Sequence, residues 1–266
     1  PHLIMQYNIS PETLVADKAV KNMSVEKMLN KEVDTSILKD ATMTPNGALF
    51  KITQKGFLPE LMQKMYDDRV KFKQLMLEAQ KDYEKTKDPK LLRDISKFNN
   101  IQMAKKISLN SAYGAIGNVW FRYYNILVAE AITTSGQLAI RFIEHSLNKY
   151  LNKILNTRGE DYIIASDTDS VYITFDKLVS KVFVSDTDNN KIVEFLDTVA
   201  KEKIEPFIDK SYQELADYVN AYEQKMQVKR EVIADKGIWV AKKRYILNAV
   251  SYTHLRAHET REDSGC

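Results

Sequence analysis

The sequence predicts an α+β fold carrying a long helical insertion, and three observations point there. Apolar residues recur at helical spacing from Leu61 to about Ala112, with one break at Lys87-Asp88-Pro89. Two β-branched and aromatic runs, Tyr162-Ile163-Ile164-Ala165 and Val171-Tyr172-Ile173-Thr174-Phe175, flank a short acidic stretch. Helical periodicity then returns, and two further strand-like segments follow.

Taken in order, Pro11-Glu12-Thr13 reads as a turn or helix start, and Asn46-Gly47 as a turn before the strand-like Ala48–Ile52. Gly56-Phe57-Leu58-Pro59 opens the first long helix, since proline is tolerated in a first turn. Leu61, Met65, Phe72, Leu75 and Leu77 follow helical spacing through a polar background. The pattern resumes from Leu91 to about Ala112, which predicts two antiparallel helices with a short connection, a projecting hairpin. Asn125 to Leu155 is a third long helix, apolar at Ala129, Ile132, Leu138, Ile140, Ile143 and Leu147, and Thr157-Arg158-Gly159 ends it. Ile192 to about Lys225 reads as helix interrupted near Pro206, and Val228–Ala234 and Gly237–Asn248 as two closing strands.

A chain of 266 residues can form one large domain or two smaller ones. Its apolar fraction of 44% and charged fraction of 28% are ordinary for a globular protein. No apolar run approaches the roughly 20 residues of a membrane span. The single cysteine, Cys266, excludes a disulfide framework and a cysteine zinc site, and fits a reducing, cytosolic setting. Between Lys51 and Lys106 stand 14 Lys/Arg against 8 Asp/Glu, an excess larger than the net +3 of the whole chain. That basic segment suggests contact with a polyanion.

Both ends invite an expectation. The sequence opens on Pro1 without an initiator methionine and so reads as cut from something longer. Val250 to Thr260 (VSYTHLRAHET) resembles the translated sequence of a transposase adapter used in sequencing libraries, so about Val250–Cys266 is expected to be non-native.

The acidic stretch is Asp167-Thr168-Asp169-Ser170. Residues i and i+2 of a strand share a side, so the two carboxylates can converge on one spot. Oxygen ligands of this kind suit Mg²⁺, and a pair of carboxylates can help hold two ions about 4 Å apart for in-line phosphoryl transfer. The alternative is a β-turn in which the side chains cap backbone groups. A second Asp-Thr-Asp, residues 186–188, has polar flanks and precedes a helix, and it reads as turn and N-cap. A calcium loop is excluded: counted from Asp167, Tyr172 stands where glycine is needed and Leu178 where glutamate is needed.

Lys106, Asn110 and Tyr113 lie at i, i+4 and i+7, on one helix face, and Gly114 follows without a side chain. They offer a cation for phosphate, an amide for hydrogen bonds and a ring for stacking. Arg69 and Lys73 lie one turn apart on the preceding helix, about 5.4 Å along the axis, which suits neighbouring phosphates of a triphosphate. Lys242-Lys243-Arg244-Tyr245, on an otherwise apolar strand-like run, suggests a strand edge touching a nucleic-acid backbone or minor groove. A cationic, aromatic helix together with a paired-carboxylate metal site is what template-directed nucleotide transfer requires.

Jointly these segments resemble the family B replicative DNA polymerases, most closely those of T-even-like phages, from Pro1 to about Ala249. Lys106-(x)₃-Asn110-Ser111-x-Tyr113-Gly114 is similar to the family's fingers-helix motif, and Asp167-Thr168-Asp169-Ser170 to its palm carboxylate motif. Lys243-Arg244-Tyr245 is similar to the motif that holds primer–template, and Asn8-Ile9-Ser10-Pro11-Glu12-Thr13 to the stretch after the first palm motif. The resemblance implies a palm of antiparallel strands and helices (residues 1–55 and 119–249) with an inserted fingers hairpin at 56–118. It implies that Arg69, Lys73 and Lys106 bind the incoming dNTP, that Asn110 and Tyr113 line the base-pair pocket, and that Gly114, Lys243 and Tyr245 meet DNA. Asp167 would be the catalytic metal ligand and Asp169 a supporting carboxylate, with Mg²⁺ in two sites, Mn²⁺ as substitute, and Glu231 nearby.

Ala165-Ser166 stand where the family often has Tyr-Gly. Pro1 falls just after the first palm motif, so that motif's metal-binding aspartate and sugar-discriminating tyrosine are expected upstream, and this segment alone is expected to be inactive. The resemblance further implies primer–template DNA and dNTPs as partners, a sliding clamp reached through regions outside this segment, no membrane, and the cytoplasm of an infected bacterium. Two alternatives use part of the pattern. A metal-dependent nucleotide-sugar glycosyltransferase explains the aspartates alone, and a noncatalytic nucleic-acid-binding module explains the basic helices alone.

Overall fold

The computed structural model of the chain describes residues 1–15, 20, 22–36, 38–167, 170–184, 188–241 and 243–252. Its contacts divide it into two compact units, Pro1–Arg141 with Gln213–Met226, and Phe142–Tyr212 with Gln227–Cys266. The mixture of helices and antiparallel strands agrees with the α+β expectation. Among the described residues the strands pair as three separate two-stranded antiparallel sheets.

The first unit opens on a short helix α1 (His2–Gln6), followed by α2 (Val25–Leu29), β1 (Ala41–Met43) and β2 (Leu49–Lys51). Tyr7, Ile9, Met28, Met43 and Phe50 are buried in its core. β1 pairs with β2 through Thr42 opposite Phe50. The expected turn at Asn46-Gly47 joins them, with Gly47 at φ +83, and a Cβ there would lie 2.1 Å from the Val20 carbonyl oxygen. Only glycine combines that backbone angle with that approach. The sequence reading did not foresee α1, α2 or β1, because five- and three-residue elements are too short to show a period.

Next come α3 (Phe57–Thr86) and α4 (Pro89–Ile116), the expected helical hairpin. Thirty residues of α helix extend about 45 Å. The connection is tight. Lys87 takes the left-handed conformation at φ +55 and closes α3, while Asp88 caps α4 by accepting from the Lys90 N–H at 2.9 Å, with Pro89 at the first helical position. Asp68 pairs with Lys105 at 2.8 Å and Phe72 meets Phe98 at 6.1 Å between ring centroids. Pairing of early α3 with late α4 residues makes the helices antiparallel.

α5 (Ile126–Ile154) contributes its first part to one unit and its remainder to the other. By length and composition it is apolar enough to cross a membrane, yet half of its most apolar stretch is buried in the fold. Leu138, Ile143 and Leu147 are fully buried, while Arg141 and Glu144 interrupt the apolar surface, as expected of an amphipathic core helix.

The second unit holds β3 (Ile163–Asp167) paired with β4 (Ser170–Ile173), then α6 (Asp176–Val182), α7 (Asn189–Val199), a π-helical turn (Ala200–Ile204) and the first part of α8 (Glu205–Tyr218), whose residues from Gln213 belong to the first unit. Asp188 caps α7 by accepting from the Asn190 N–H at 3.2 Å, the N-cap duty read from the second Asp-Thr-Asp; residues 186 and 187 lie outside the described residues. The expected interruption near Pro206 is the π-helical turn just before it. Proline has no N–H to donate back into the preceding turn, so the hydrogen-bond ladder widens there. The helix ends at Tyr218 rather than near Lys225, because Asn220 turns left-handed at φ +51 and donates to Leu38 O and Ala41 O instead.

The closing strands need correction. They are β5 (Val232–Ala241) and β6 (Arg244–Tyr252), so the reversal falls at 242–243 and not before Gly237. Lys243 sits at φ +63 in that reversal. Gly237 misled the sequence reading: it lies within β5, where the Trp239 indole folds back over it. β6 includes the first residues of the stretch from about Val250 expected to be non-native, and residues 253–266 lie outside the described ones.

Candidate active site

The helical hairpin carries the sequence-predicted cations on its two helices, Arg69 and Lys73 on α3 and Lys106 on α4. Lys105 is spent on Asp68, and its hydrogen bond holds that carboxyl below the usual range. Lys73 and Lys106 are exposed and make no ion pair among the described residues. Their charge is therefore available to an anion. Arg69 is half-buried, with its Nε buried and lacking a hydrogen-bond partner. Further along α4, Asn110 is exposed and the Tyr113 ring is 44% exposed. A Cβ at Gly114 would meet nothing within 4 Å among the described residues outside its own helix turn.

The hairpin is anchored at its base by Asn8–Thr13, of which the sequence marks only Pro11-Glu12-Thr13, as a turn or helix start. Asn8, at φ +51, donates from Nδ2 to Lys51 O at 2.6 Å and Gln54 O at 2.8 Å, and accepts the Gly56 N–H at 2.8 Å. Glu12 accepts the Phe57 N–H at 2.5 Å, and Ser10 accepts the Leu58 N–H at 3.4 Å. Gly56, the cap residue of α3, has no side chain to offer, so these distant residues satisfy the open N–H groups of the helix. The Glu12 carboxylate also suits the positive end of the helix dipole.

In the other unit, Asp167 ends β3 opposite Ser170, whose hydroxyl donates to the Asp167 carbonyl at 3.1 Å. Asp169 lies outside the described residues, so the expected convergence of the two carboxylates is not seen here. The apolar runs flanking Asp167-Thr168-Asp169 in the sequence predict a buried hairpin tip. Instead β3 alternates half-buried and exposed residues, with Ile164 54% exposed and a register shift between Ile163 and Ala165. Asp167 is half-buried.

β4 and the β5–β6 hairpin meet through an aromatic cluster. Tyr172 lies 5.4 Å from Trp239 and 5.3 Å from Tyr245, both edge to face, and Trp239 stacks on Tyr245 at 6.2 Å. Burial, then the neighbouring Tyr245 hydroxyl, pushes the Tyr172 phenol up to about 12, with Asp167 adding to the shift. The Asp167 end of β3 and the Tyr245 end of β6 are thus gathered around one tyrosine. Lys243 and Arg244 are exposed, and Tyr245 is 40% exposed. They occupy the turn and the start of β6 rather than a continuous strand; Lys242 is outside the described residues. Tyr172 was passed over in the sequence as one more strand residue, and its only signal was an aromatic five residues beyond Asp167.

The foot of β5 is fixed by Arg230. Its guanidinium, 11% exposed, pairs with Asp197 on α7, and its N–H donates to Glu205 at 2.9 Å. Asp197 also takes Lys201 at 2.6 Å, and Lys201 first, then Arg230, holds its carboxyl below the usual range. Glu231 follows, exposed, immediately before β5.

Among the described residues no group of three or more His, Cys, Asp or Glu is arranged to hold a metal. Mg²⁺ rarely needs one, since it is commonly bound by one or two carboxylates with water and phosphate oxygens. The carboxylate of Asp167 at the end of β3 fits that donor chemistry.

The sequence profile of DNA polymerase family B matches residues 1–260. The chain is 34% identical over 300 residues to the DNA-directed DNA polymerase of Escherichia phage RB69, covering 93% of this chain and 33% of that protein. It is 33% identical over 311 residues to the DNA-directed DNA polymerase of Enterobacteria phage T4, covering 97% and 34%. The DNA polymerase delta catalytic subunit of Candida albicans is 27% identical over 177 residues, covering 66% and 15%. The chain therefore spans about a third of the length of its phage relatives. A match of that extent places the chain in DNA polymerase family B.

Proposed function

We propose that the chain is the palm and fingers portion of a phage-encoded DNA-directed DNA polymerase that joins a primer 3′-hydroxyl to the α-phosphate of a dNTP and releases pyrophosphate. The observation that carries this reading is the Tyr172–Tyr245 contact, which gathers the carboxylate strand and the basic hairpin in one unit. Family membership supports it, and leaves the glycosyltransferase and noncatalytic alternatives without support.

In this reading α3 and α4 are the fingers (56–118), and residues 1–55 and 119–249 the palm. The unpaired ammonium groups of Lys73 and Lys106, with Arg69, offset the charge of the triphosphate, which a cation already bound to a carboxylate, as Lys105 is, could not do as well. Asn110 and Tyr113 bound the nascent base pair, and the open surface at Gly114 lets it approach. Lys243 and Tyr245 hold the primer–template backbone. Asp167, with Asp169, would hold divalent metal, Mg²⁺ with Mn²⁺ as substitute, which when bound supplies charge stabilisation to the phosphoryl oxygens. The enzyme works in the cytoplasm of the infected host, with any sliding clamp engaged through regions outside this segment.

The test uses a polymerase carrying this segment. Asp167→Ala should lower primer extension by at least about a thousandfold, roughly 4 kcal/mol, while leaving primer–template affinity within about twofold. Lys106→Ala should raise the KM for dNTP more than it lowers kcat. Extension that survives Asp167→Ala overturns the reading.

A further inference from the structure

We propose that His2 is a further phosphate-contacting residue of the nucleotide site, taking up a proton from solvent as a triphosphate binds beside Arg69. The inference rests on the reading of Arg69 as a triphosphate ligand, and concerns a residue that no motif in the sequence singled out.

The argument starts from three segments of one unit. His2 opens α1, and its ring meets the Tyr66 ring on α3 edge to face at 4.9 Å. Tyr66 and Arg69 are three residues apart on α3 and so share a helix face. The segment after α8 is tied to the other end of α1. Tyr222 N–H and Glu223 N–H donate to Gln6 O at 2.9 and 3.4 Å, and Lys225 N–H donates to the Gln6 side chain at 3.1 Å. His2 thus contacts the α3 face that carries Arg69, and lies within electrostatic reach of both Arg69 and Lys225.

That pair of cations is poor in counter-charge. Lys225 is paired with Glu223 at 2.7 Å, but Arg69 forms no ion pair among the described residues and its Nε is buried without a partner. A buried donor left unmade costs about 1–3 kcal/mol, and an anion with several acceptor oxygens would satisfy it. Among the described residues the charged side chains acting on His2 are Lys225 and Arg69. Burial first, and then these cations, hold the imidazole below its ordinary range. Free His2 is therefore mostly neutral near neutral pH.

A bound triphosphate reverses that balance. Its negative charge offsets Arg69 and Lys225 and favours the protonated imidazole, which then donates to a phosphate oxygen. The sign follows from linkage: His2 has the higher pKa in the bound state. Its contribution to affinity is full below the free-state pKa and is lost as pH rises through the bound-state pKa.

The test is calorimetry of the 266-residue chain, acetylated at the Pro1 amine to remove that charge, titrated with inorganic triphosphate without divalent metal. Affinity should fall from about pH 6 to about pH 8 by roughly tenfold more in the native chain than in His2→Gln. His2→Lys should bind at about pH 8 as tightly as the native chain does at about pH 6. Arg69→Ala should weaken binding at both. If Arg69→Ala weakens binding but native and His2→Gln chains share one pH dependence, the His2 inference falls and the site stands. If Arg69→Ala changes nothing, or no binding occurs, both fall. In the native chain alone, the His2 Cε1–H resonance, assigned by its absence from His2→Gln, should titrate at higher pH once triphosphate is added. An unmoved resonance overturns the inference.

Discussion

The ring of Tyr172 in β4 meets the ring of Tyr245 in β6 at 5.3 Å and 64°, locking the strand beyond the carboxylate tip to the strand beyond the basic turn. Trp239 completes the cluster from β5, directly opposite Tyr245 in the register. β4 is thereby held to the β5–β6 hairpin, distant from it in sequence, by rings rather than by strand pairing.

The Tyr172 phenol, pushed up to about 12, should ionise above the usual tyrosine range. Its folded pKa is raised, so its contribution to stability is full below about pH 10 and is lost as pH rises towards 12. The difference absorbance titration between the native chain and Tyr172→Phe should show that late step. In Tyr245→Phe the step should move down yet stay above the ordinary value, because burial is the larger cause. Tyr172→Leu, which removes two edge-to-face contacts, should cost about 1–3 kcal/mol in urea unfolding.

Asn8→Ala should destabilise the first unit by about 3 kcal/mol. It abandons two carbonyls and the Gly56 N–H, and puts alanine at φ +51, where Cβ is disfavoured. Glu12→Gln keeps an acceptor for the Phe57 N–H and should cost less than about 1 kcal/mol. Equal losses in the two variants would show that Asn8–Thr13 does not anchor α3 through these bonds.

A methyl group at Gly237 would lie 2.7 Å from the Trp239 ring and 2.8 Å from the Leu247 side chain. The indole cannot simply swing away, since Tyr172 and Tyr245 pack on it. Gly237→Ala should therefore cost about 1–3 kcal/mol and shift the tryptophan emission. Trp120, 91% exposed, contributes an unchanged solvent-like background to that measurement.

Asp197→Asn should destabilise the second unit more than Lys201→Gln does. The first leaves a guanidinium that is 11% exposed without its carboxylate, and the second removes an ammonium that is 57% exposed. Because the folded Asp197 pKa is depressed, its contribution is present above the unfolded value of about 4 and is lost as pH falls through the folded one. The gap in urea midpoint between native and Asp197→Asn chains should close on acidification through that range.

The long helices were legible because each carries many turns of one period and ends at residues with local reasons to end it, such as Lys87-Asp88-Pro89. The strand ending at Asp167 was legible because two β-branched runs frame it, and the helix carrying Lys106, Asn110 and Tyr113 because its period continues through them. The closing strands were misplaced because glycine is a turn signal only when nothing packs on it, and at Gly237 a tryptophan does.

By itself the sequence determined the helical pair, the strand framing Asp167, the cationic face of the hairpin and membership in DNA polymerase family B, all of which depend on residues near one another along the chain. Only the tertiary structure decided that Asn8 and Glu12 cap a helix some 45 residues away, that Lys105 is spent on Asp68, and that Tyr172 faces Tyr245. It also decided that His2 stands among cations. The physical reason is that hydrogen-bond satisfaction, charge pairing and ring packing depend on distances through space, and a one-dimensional pattern records spacing only within an element.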